Sequence, residues 1–232
     1  MRIFIGLRWA LPVISACILA FFATQAQASS LNSWRLSCGA DKGSVTRKGG
    51  TWRFATSSNK CPGGIFKQRA EIASGRVSPS HKGSYRFQAY VAMKSSKSNK
   101  FGIFQIHDGR RGCAPPLKLD VLSSGQIRLT SDVKTGPGES CIRGSLSSKV
   151  TRARIRRNGK EQKLEVLVKF DGKGGFDVTV SINGAAQIKG KYQPREKANY
   201  RSKFFYFKHG VYSQRKFPYV MTSRGMSVRR VR

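Results

Sequence analysis

The stretch from Phe204 to Gln214 (Phe-Phe-Tyr-Phe-Lys-His-Gly-Val-Tyr-Ser-Gln) concentrates side chains that can do chemistry. Its aromatic and β-branched residues and its glycine favour a strand over a helix. In a strand, successive side chains alternate between faces. Phe205, Phe207 and Val211 then share one face, and Tyr206, Lys208, Tyr212 and Gln214 the other. A phenol, an ammonium and an amide in a row suit an anionic, hydroxylated ligand. Taken alone, the segment is as simply a half-buried strand with Tyr and Lys reaching to water. Two further segments repeat the pattern. In Gln68-Arg-Ala-Glu-Ile72, Ala70 and Ile72 oppose Arg69 and Glu71; in Phe101–His107, Phe104 and Ile106 oppose Gln105 and His107. If the three strands lie in one sheet, Arg69, Glu71, Gln105, His107, Lys208 and Tyr212 meet on its open face.

The elements that must position these residues are short strands. Segments 67–73, 84–93, 101–107, 117–122, 126–130, 150–156, 164–170, 176–182 and 204–214 read as strands, with turn signals at Ser123-Ser124-Gly125, Asp171–Gly175 and Asn183-Gly184. Residues 131–148 read as a Gly-, Pro- and Ser-rich loop, 191–203 as a polar connection, and the basic tail 222–232 as a final edge strand. No sustained helical periodicity and no internal repeat occurs. The pattern predicts an all-β antiparallel sandwich, a concanavalin-like jelly roll with a concave groove for a linear polymer.

Residues 1–28 carry Arg2 and Arg8, an apolar run from Trp9 to Ala23, and Ala26-Gln27-Ala28 before Ser29. This is the three-part pattern of a secretory signal, and it predicts export to the periplasm or medium as one domain, residues 29–232. The run is short for a membrane span, although an uncleaved anchor stays open. Beyond the signal lie Cys38, Cys61, Cys113 and Cys141, which in an exported chain suggest two disulfides. Of three connectivities, Cys38 with Cys61 and Cys113 with Cys141 is favoured. The spacings lack the close pairs of a zinc site.

Lys and Arg total 44 against 11 Asp and Glu, a net charge of +33; two of the bases lie in the signal, leaving +31. Such a surface attracts polyanions. Export and the lack of a nucleic-acid-binding motif argue against specific nucleic acid, and the lack of a basic amphipathic helix against stable membrane binding. An acidic polysaccharide is the leading partner, met by a monomer.

The three polar-tipped segments, Gln68–Ile72, Gln105–His107 and Tyr206–Gln214, resemble in order the signature segments of the family 7 alginate lyases. Pro115–Leu119 and the 171–184 hairpin resemble the related glucuronan lyase and heparin lyase I group. The resemblance implies a polysaccharide lyase that cuts a uronic-acid polymer by β-elimination. It implies that Arg69 and Gln105 neutralise the sugar carboxylate, and that either Tyr212 alone takes one proton and gives one back, as glucuronate and mannuronate allow, or His107 acts as base and Tyr212 as acid, as guluronate requires. Lys208, Tyr206, Gln214 and Glu71 would bind substrate, Glu71 by orienting Arg69 or Lys208, while Lys208 and Arg69 would lower the Tyr212 pKa. Ala73 departs from a second arginine of the family. His209 replaces an alanine on the Phe205 face and reads as structural, and His81 as an exposed bystander. The row Arg152, Arg154, Arg156 reads as a solvated face or a polymer track. No cofactor is expected; Asp171 and Asp177, where relatives suggest a structural calcium, read as a hairpin turn. The rival reading is a non-catalytic, cationic carbohydrate-binding module on the same fold.

Overall fold

A computed structural model describes residues 30–37, 39–58, 67–146, 153–194 and 200–231. The expected signal segment and the Cys38–Cys61 pair lie outside the described residues. Alternating side chains build two antiparallel sheets. The first runs, in spatial order, β1 (Arg35–Leu36), β4 (Gln68–Val77), β13 (Phe205–Ser213), β6 (Phe101–His107), β7 (Leu117–Val121), β8 (Ile127–Lys134) and β9 (Cys141–Ser145). The second runs β12 (Ala185–Tyr192), β11 (Phe176–Ile182), β10 (Asn158–Asp171), β5 (Lys82–Lys94), β14 (Val220–Val231), β3 (Thr51–Ala55) and β2 (Val45–Lys48). The fold is the all-β jelly-roll sandwich that the strand pattern predicts.

The core lies between the sheets and is largely aromatic. Phe205, Phe207, His209 and Val211 of β13 point inward, as do Tyr85, Phe87, Ala89, Val91 and Met93 of β5. Phe87 meets Phe104 across the interface at 4.9 Å, and Phe170 stacks on Phe205 at 5.5 Å. Burying a side chain of this size contributes about 2 kcal/mol, so the inward rows hold the sheets face to face.

Several expectations are corrected. The supposed loop 131–148 contains the end of β8 and all of β9. Cys113 and Cys141 are bonded, as expected, tying β9 to the segment that precedes β7. The supposed strand 150–156 is not one over its described part, where Arg154 makes only an isolated bridge to Gln126. Ile155 is buried and Arg154 and Arg156 exposed, but the Gln162 amide takes the place of a partner strand: it accepts from Arg156 N and donates to Arg154 O. Strand β12 carried no apolar alternation strong enough to register in the sequence. The basic tail forms β14, which is interior, paired to β3 and β5; Met221 and Val228 are buried there while Arg224 and Arg229 face water. His81 is no bystander, since its Nε2 lies 2.6 Å from Tyr85 Oη. Asp171 Oδ1 accepts from the backbone N–H of Lys173 and Gly175, closing the β10–β11 turn.

His209 links the two sheets, on the structural face expected of it. Its Nδ1–H donates to the Ile103 carbonyl of β6 at 2.9 Å, and its Nε2 accepts from Ser223 Oγ of β14 at 2.7 Å. This pattern needs a neutral ring. Burial pushes its pKa down to about 4, against a weaker opposing effect of the Ile103 bond. Between the unfolded value of 6.5 and about 4 the unfolded chain binds the proton and the folded chain does not. His209 therefore costs stability as pH falls through that window, by roughly 3 kcal/mol at its lower end. Urea unfolding across the window should show a shallower loss for His209→Gln than for the parent.

Candidate active site

Strand β13 is the axis of the site because it pairs with β4 on one side and β6 on the other. Its register sets Tyr212 opposite Arg69, Lys208 opposite Ala73 and Gln105, and Tyr206 opposite His107. Residues directly opposite in an antiparallel pair share a face. Arg69, Glu71, Gln105, His107, Tyr206, Lys208 and Tyr212 thus converge on the open face of the first sheet, with Gln214 just past the strand end. All eight sequence-predicted site residues are brought together.

Glu71 lies at the bottom of this cluster, 2% exposed. It accepts a short hydrogen bond from Gln105 Nε2 and pairs with Lys208 Nζ at 3.7 Å, too long for a hydrogen bond. Burial raises its pKa against the opposing pull of Lys208, Arg69 and Gln105. Because the Gln105 amide nitrogen is turned to Glu71, its Oε1 faces His107, whose Nε2 lies 3.0 Å away. An amide oxygen only accepts, so His107 carries its proton on Nε2 and keeps the lone pair of Nδ1. The ring stacks on Tyr206 at 5.3 Å. Burial first, then Lys208 and Arg69, hold its pKa well below the ordinary 6.5, so the ring is neutral at neutral pH.

Tyr212 receives a hydrogen bond of 3.0 Å from Arg69 Nη2, and the guanidinium also sits 5.0 Å from the ring centroid. The expected lowering of its pKa by Lys208 and Arg69 is not what the structure shows. Burial raises the phenol above 10.0; Arg69 offsets this in part, and the Lys208 charge is committed to Glu71. Tyr212 is thus a protonated hydroxyl whose oxygen already accepts from a cation. Glu71 contacts Lys208 directly and His107 through Gln105.

Beside this cluster a recess of about 530 Å³ is lined by Gln105, His107, Lys118, Tyr212 and Gln214, and walled by the Cys113 segment. A second recess, past Tyr212, includes Lys100, Lys118 and Asp120. Asp120 is buried and surrounded by Lys100, Lys118 and Arg128 at 3.4–3.7 Å. At the opposite end Arg35, Arg76, Arg110 and Arg111 line a third. Sequence reasoning missed these flanking cations; Arg76 lies further along β4 and the others on other strands and loops, and none carries a local signal beyond the overall charge.

A family model described as alginate lyase matches residues 54–228. The chain belongs to that family. The described strands from β4 to β13, which carry the site, fall within the match. No curated protein matches the sequence. The fold is similar to that of alginate lyase A1-II′, a member of polysaccharide lyase family 7, with a TM-score of 0.59 at 15% identity over 86% of this chain and 95% of that one. An alginate lyase from Pseudomonas aeruginosa gives 0.55 at 17% identity over 87% and 99%. One from Klebsiella pneumoniae gives 0.56 at 14% over 88% and 98%. At such identity the structures speak for the shared sandwich; the family match makes the enzyme a polysaccharide lyase.

Two residues before Tyr212 the chain passes close to β4 at Gly210. There φ is +142°, and a Cβ would stand 2.1 Å from the Ala70 carbonyl oxygen. Gly210→Ala should lower stability by roughly 2 kcal/mol or more. Gly184→Ala, at a turn with nothing within 4 Å, should cost nearer 1 kcal/mol, for backbone strain alone. Thermal unfolding of the two variants beside the parent checks this order.

Proposed function

We propose that this lyase is exported and cleaves a uronic-acid polymer of the alginate kind by β-elimination, with His107 as base and Tyr212 as acid. The observation that carries the reading is the protonation pattern of one contiguous cluster: a neutral His107 with an open nitrogen beside a protonated Tyr212 held by Arg69. The N-terminal signal pattern supports export, and the charge of +33 supports a polyanionic substrate.

The proton at C5 of a uronate is weakly acidic because the neighbouring carboxylate resists further negative charge. Arg69 and the second N–H of Gln105 meet that carboxylate and stabilise the charge that develops on it. Nδ1 of His107 takes the C5 proton. The C4–C5 double bond forms as the C4–O4 bond breaks, and Tyr212 gives its proton to the departing O4. The phenolate left behind faces the Arg69 guanidinium, which offsets its charge. The products are an unsaturated uronate end and a new hydroxyl end, and solvent returns the proton from His107 to Tyr212. Separate base and acid suit a sugar whose C5 proton and O4 leave from opposite sides, as in guluronate. Glucuronate and mannuronate, where both leave from one side, would require Tyr212 to ionise first, which its raised pKa opposes.

Absorbance near ~232 nm, the signature of the unsaturated uronate produced by such an elimination, should rise fastest with polyguluronate when glucuronan, polymannuronate, polyguluronate and heparin are compared. Tyr212→Phe and His107→Ala should each reduce kcat by about 10²-fold or more while still binding polymer. Salt-sensitive binding to all four polymers with no product would support a polyanion-binding module instead.

The same protonation states predict the pH profile. His107 is ready as base down to well below pH 6.5, and Tyr212 as acid to above pH 10.0. The kcat/KM of the free enzyme should be flat between these values, falling on the acid side as His107 takes a proton and on the alkaline side as Tyr212 loses one. A tyrosine base would instead give a rate that climbs through the alkaline range.

A further inference from the structure

The side of the sandwich away from the groove is also basic, and its charge takes no part in the reaction. On the second sheet the apolar residues alternate inward, so those between them face outward. Register sets Lys189 of β12, Thr179 of β11, Leu167 of β10, Arg86 of β5 and Arg229 of β14 side by side across five adjacent strands. Arg86 and Arg229 stand directly opposite one another, a like-charge pair that weakens a sheet. The carboxylates of this sheet are committed elsewhere. Glu161 takes two hydrogen bonds from Arg224, Glu165 pairs with Lys163 at 3.1 Å, and Asp171 closes the β10–β11 turn. Asp177 lies between Lys169 and Lys191 in the ladder. Arg53, Arg86, Lys189 and Arg229 are exposed and make no ion pair among the described residues.

The layout of these cations says what they fit. Neighbouring strands lie about 4.8 Å apart, so the row from Lys189 to Arg229 runs about 19 Å across the sheet. Arg53 stands opposite Thr222, which stands opposite Ala92, six residues along β5 from Arg86. At about 3.3 Å per residue the array is about 20 Å long in the strand direction as well. An extended polymer follows one line and leaves the other cations unmatched, whereas a plane of anionic groups meets both directions at once. The exposed large apolar side chains among the described residues, Leu36 and Ile142, both lie on the first sheet, so a contact made by the second stops at the level of charge. We infer that the outer face of the second sheet docks the lyase on a bilayer of anionic phospholipid, through the lipid phosphates, with the groove turned away from the membrane and open to polymer. Guanidinium forks match phosphate oxygens in geometry. The contact needs no amphipathic helix and no inserted segment, and salt weakens it.

Co-sedimentation with vesicles tests the inference without turnover. The protein in its exported form is mixed with vesicles of equal parts phosphatidylglycerol and phosphatidylcholine, and with vesicles of phosphatidylcholine alone, at low and high salt. The parent should bind the first and not the second, and high salt should release it. Arg53→Ala, Arg86→Ala and Arg229→Ala together should weaken binding about 10²-fold. Arg35→Ala, Arg76→Ala and Arg110→Ala together remove as much charge from the groove side and should change it by less than about 3-fold, because those cations lie beyond the screening length from the bilayer. Circular dichroism and thermal unfolding confirm that each variant is folded. The inference is overturned if the parent does not bind phosphatidylglycerol vesicles, if the second-sheet triple binds them as tightly as the parent, or if the groove triple loses as much. It is overturned too if the second-sheet triple, combined with Tyr212→Phe, loses affinity for soluble polyguluronate and none for vesicles, which would give this face to a polysaccharide. Failure of the lyase reading would show separately, as absence of product from the parent, and leaves vesicle binding unaffected.

Discussion

A carboxylate held away from water beneath an open face rich in cations is the constraint on which this site depends. Glu71 is almost fully buried in a chain with a fourfold excess of bases over acids. An uncompensated charge there would cost several kcal/mol, so its neighbours are drawn to it. Lys208 turns its ammonium toward it, and Gln105 commits an amide hydrogen to it. The second commitment propagates, since an amide with its nitrogen tied to Glu71 presents its oxygen to His107 and so chooses the tautomer of that ring. Glu71 touches no reacting atom in this scheme, yet the proton inventory follows from where it sits.

The same arrangement separates the two titrating residues. His107 and Tyr212 are both partly withdrawn from water, and desolvation penalises the charged form of each. For an imidazole this means a lower pKa and for a phenol a higher one, so burial pushes the pair apart without any further device. Nearby cations reinforce the effect on His107 and oppose it on Tyr212. The result is one residue that lacks a proton and one that holds it across the neutral range, which is the state an elimination with separate base and acid requires.

The sandwich behind the site accounts for its precision. The inward faces of β13, β4 and β6 pack Phe205, Phe207, Ile72, Phe104 and Ile106 against the second sheet, and His209 adds a hydrogen bond from one sheet to the other. A strand with one face locked in this way cannot slip by one residue without turning every side chain to the wrong side. The register that sets Tyr212 against Arg69 is therefore maintained by the core. The open face, relieved of packing duties, carries the charge, and its cations extend past the reacting centre at both ends.

Alternation along single strands was determined by sequence alone. Which residues of β13, β4 and β6 face the core and which face the groove follows from a period of two and from the cost of burying the wrong ones, and the ordered segments already pointed to the family. The compartment and the polyanionic partner likewise followed as expectations from the N-terminal pattern and the net charge. Sequence could not place β14 between β3 and β5, nor fill the gap after β8 with β9, because strand pairing is a contest among distant segments that leaves little local trace. Nor could it tell that a row of arginines near residue 154 would be served by the Gln162 side chain rather than by a neighbouring strand. Above all, the direction of the Tyr212 shift was decided only in three dimensions. Sequence puts Lys208 on the same face, but the fold gives that ammonium to Glu71 and shields the phenol from water, and a pKa answers to distance and solvent rather than to order along the chain.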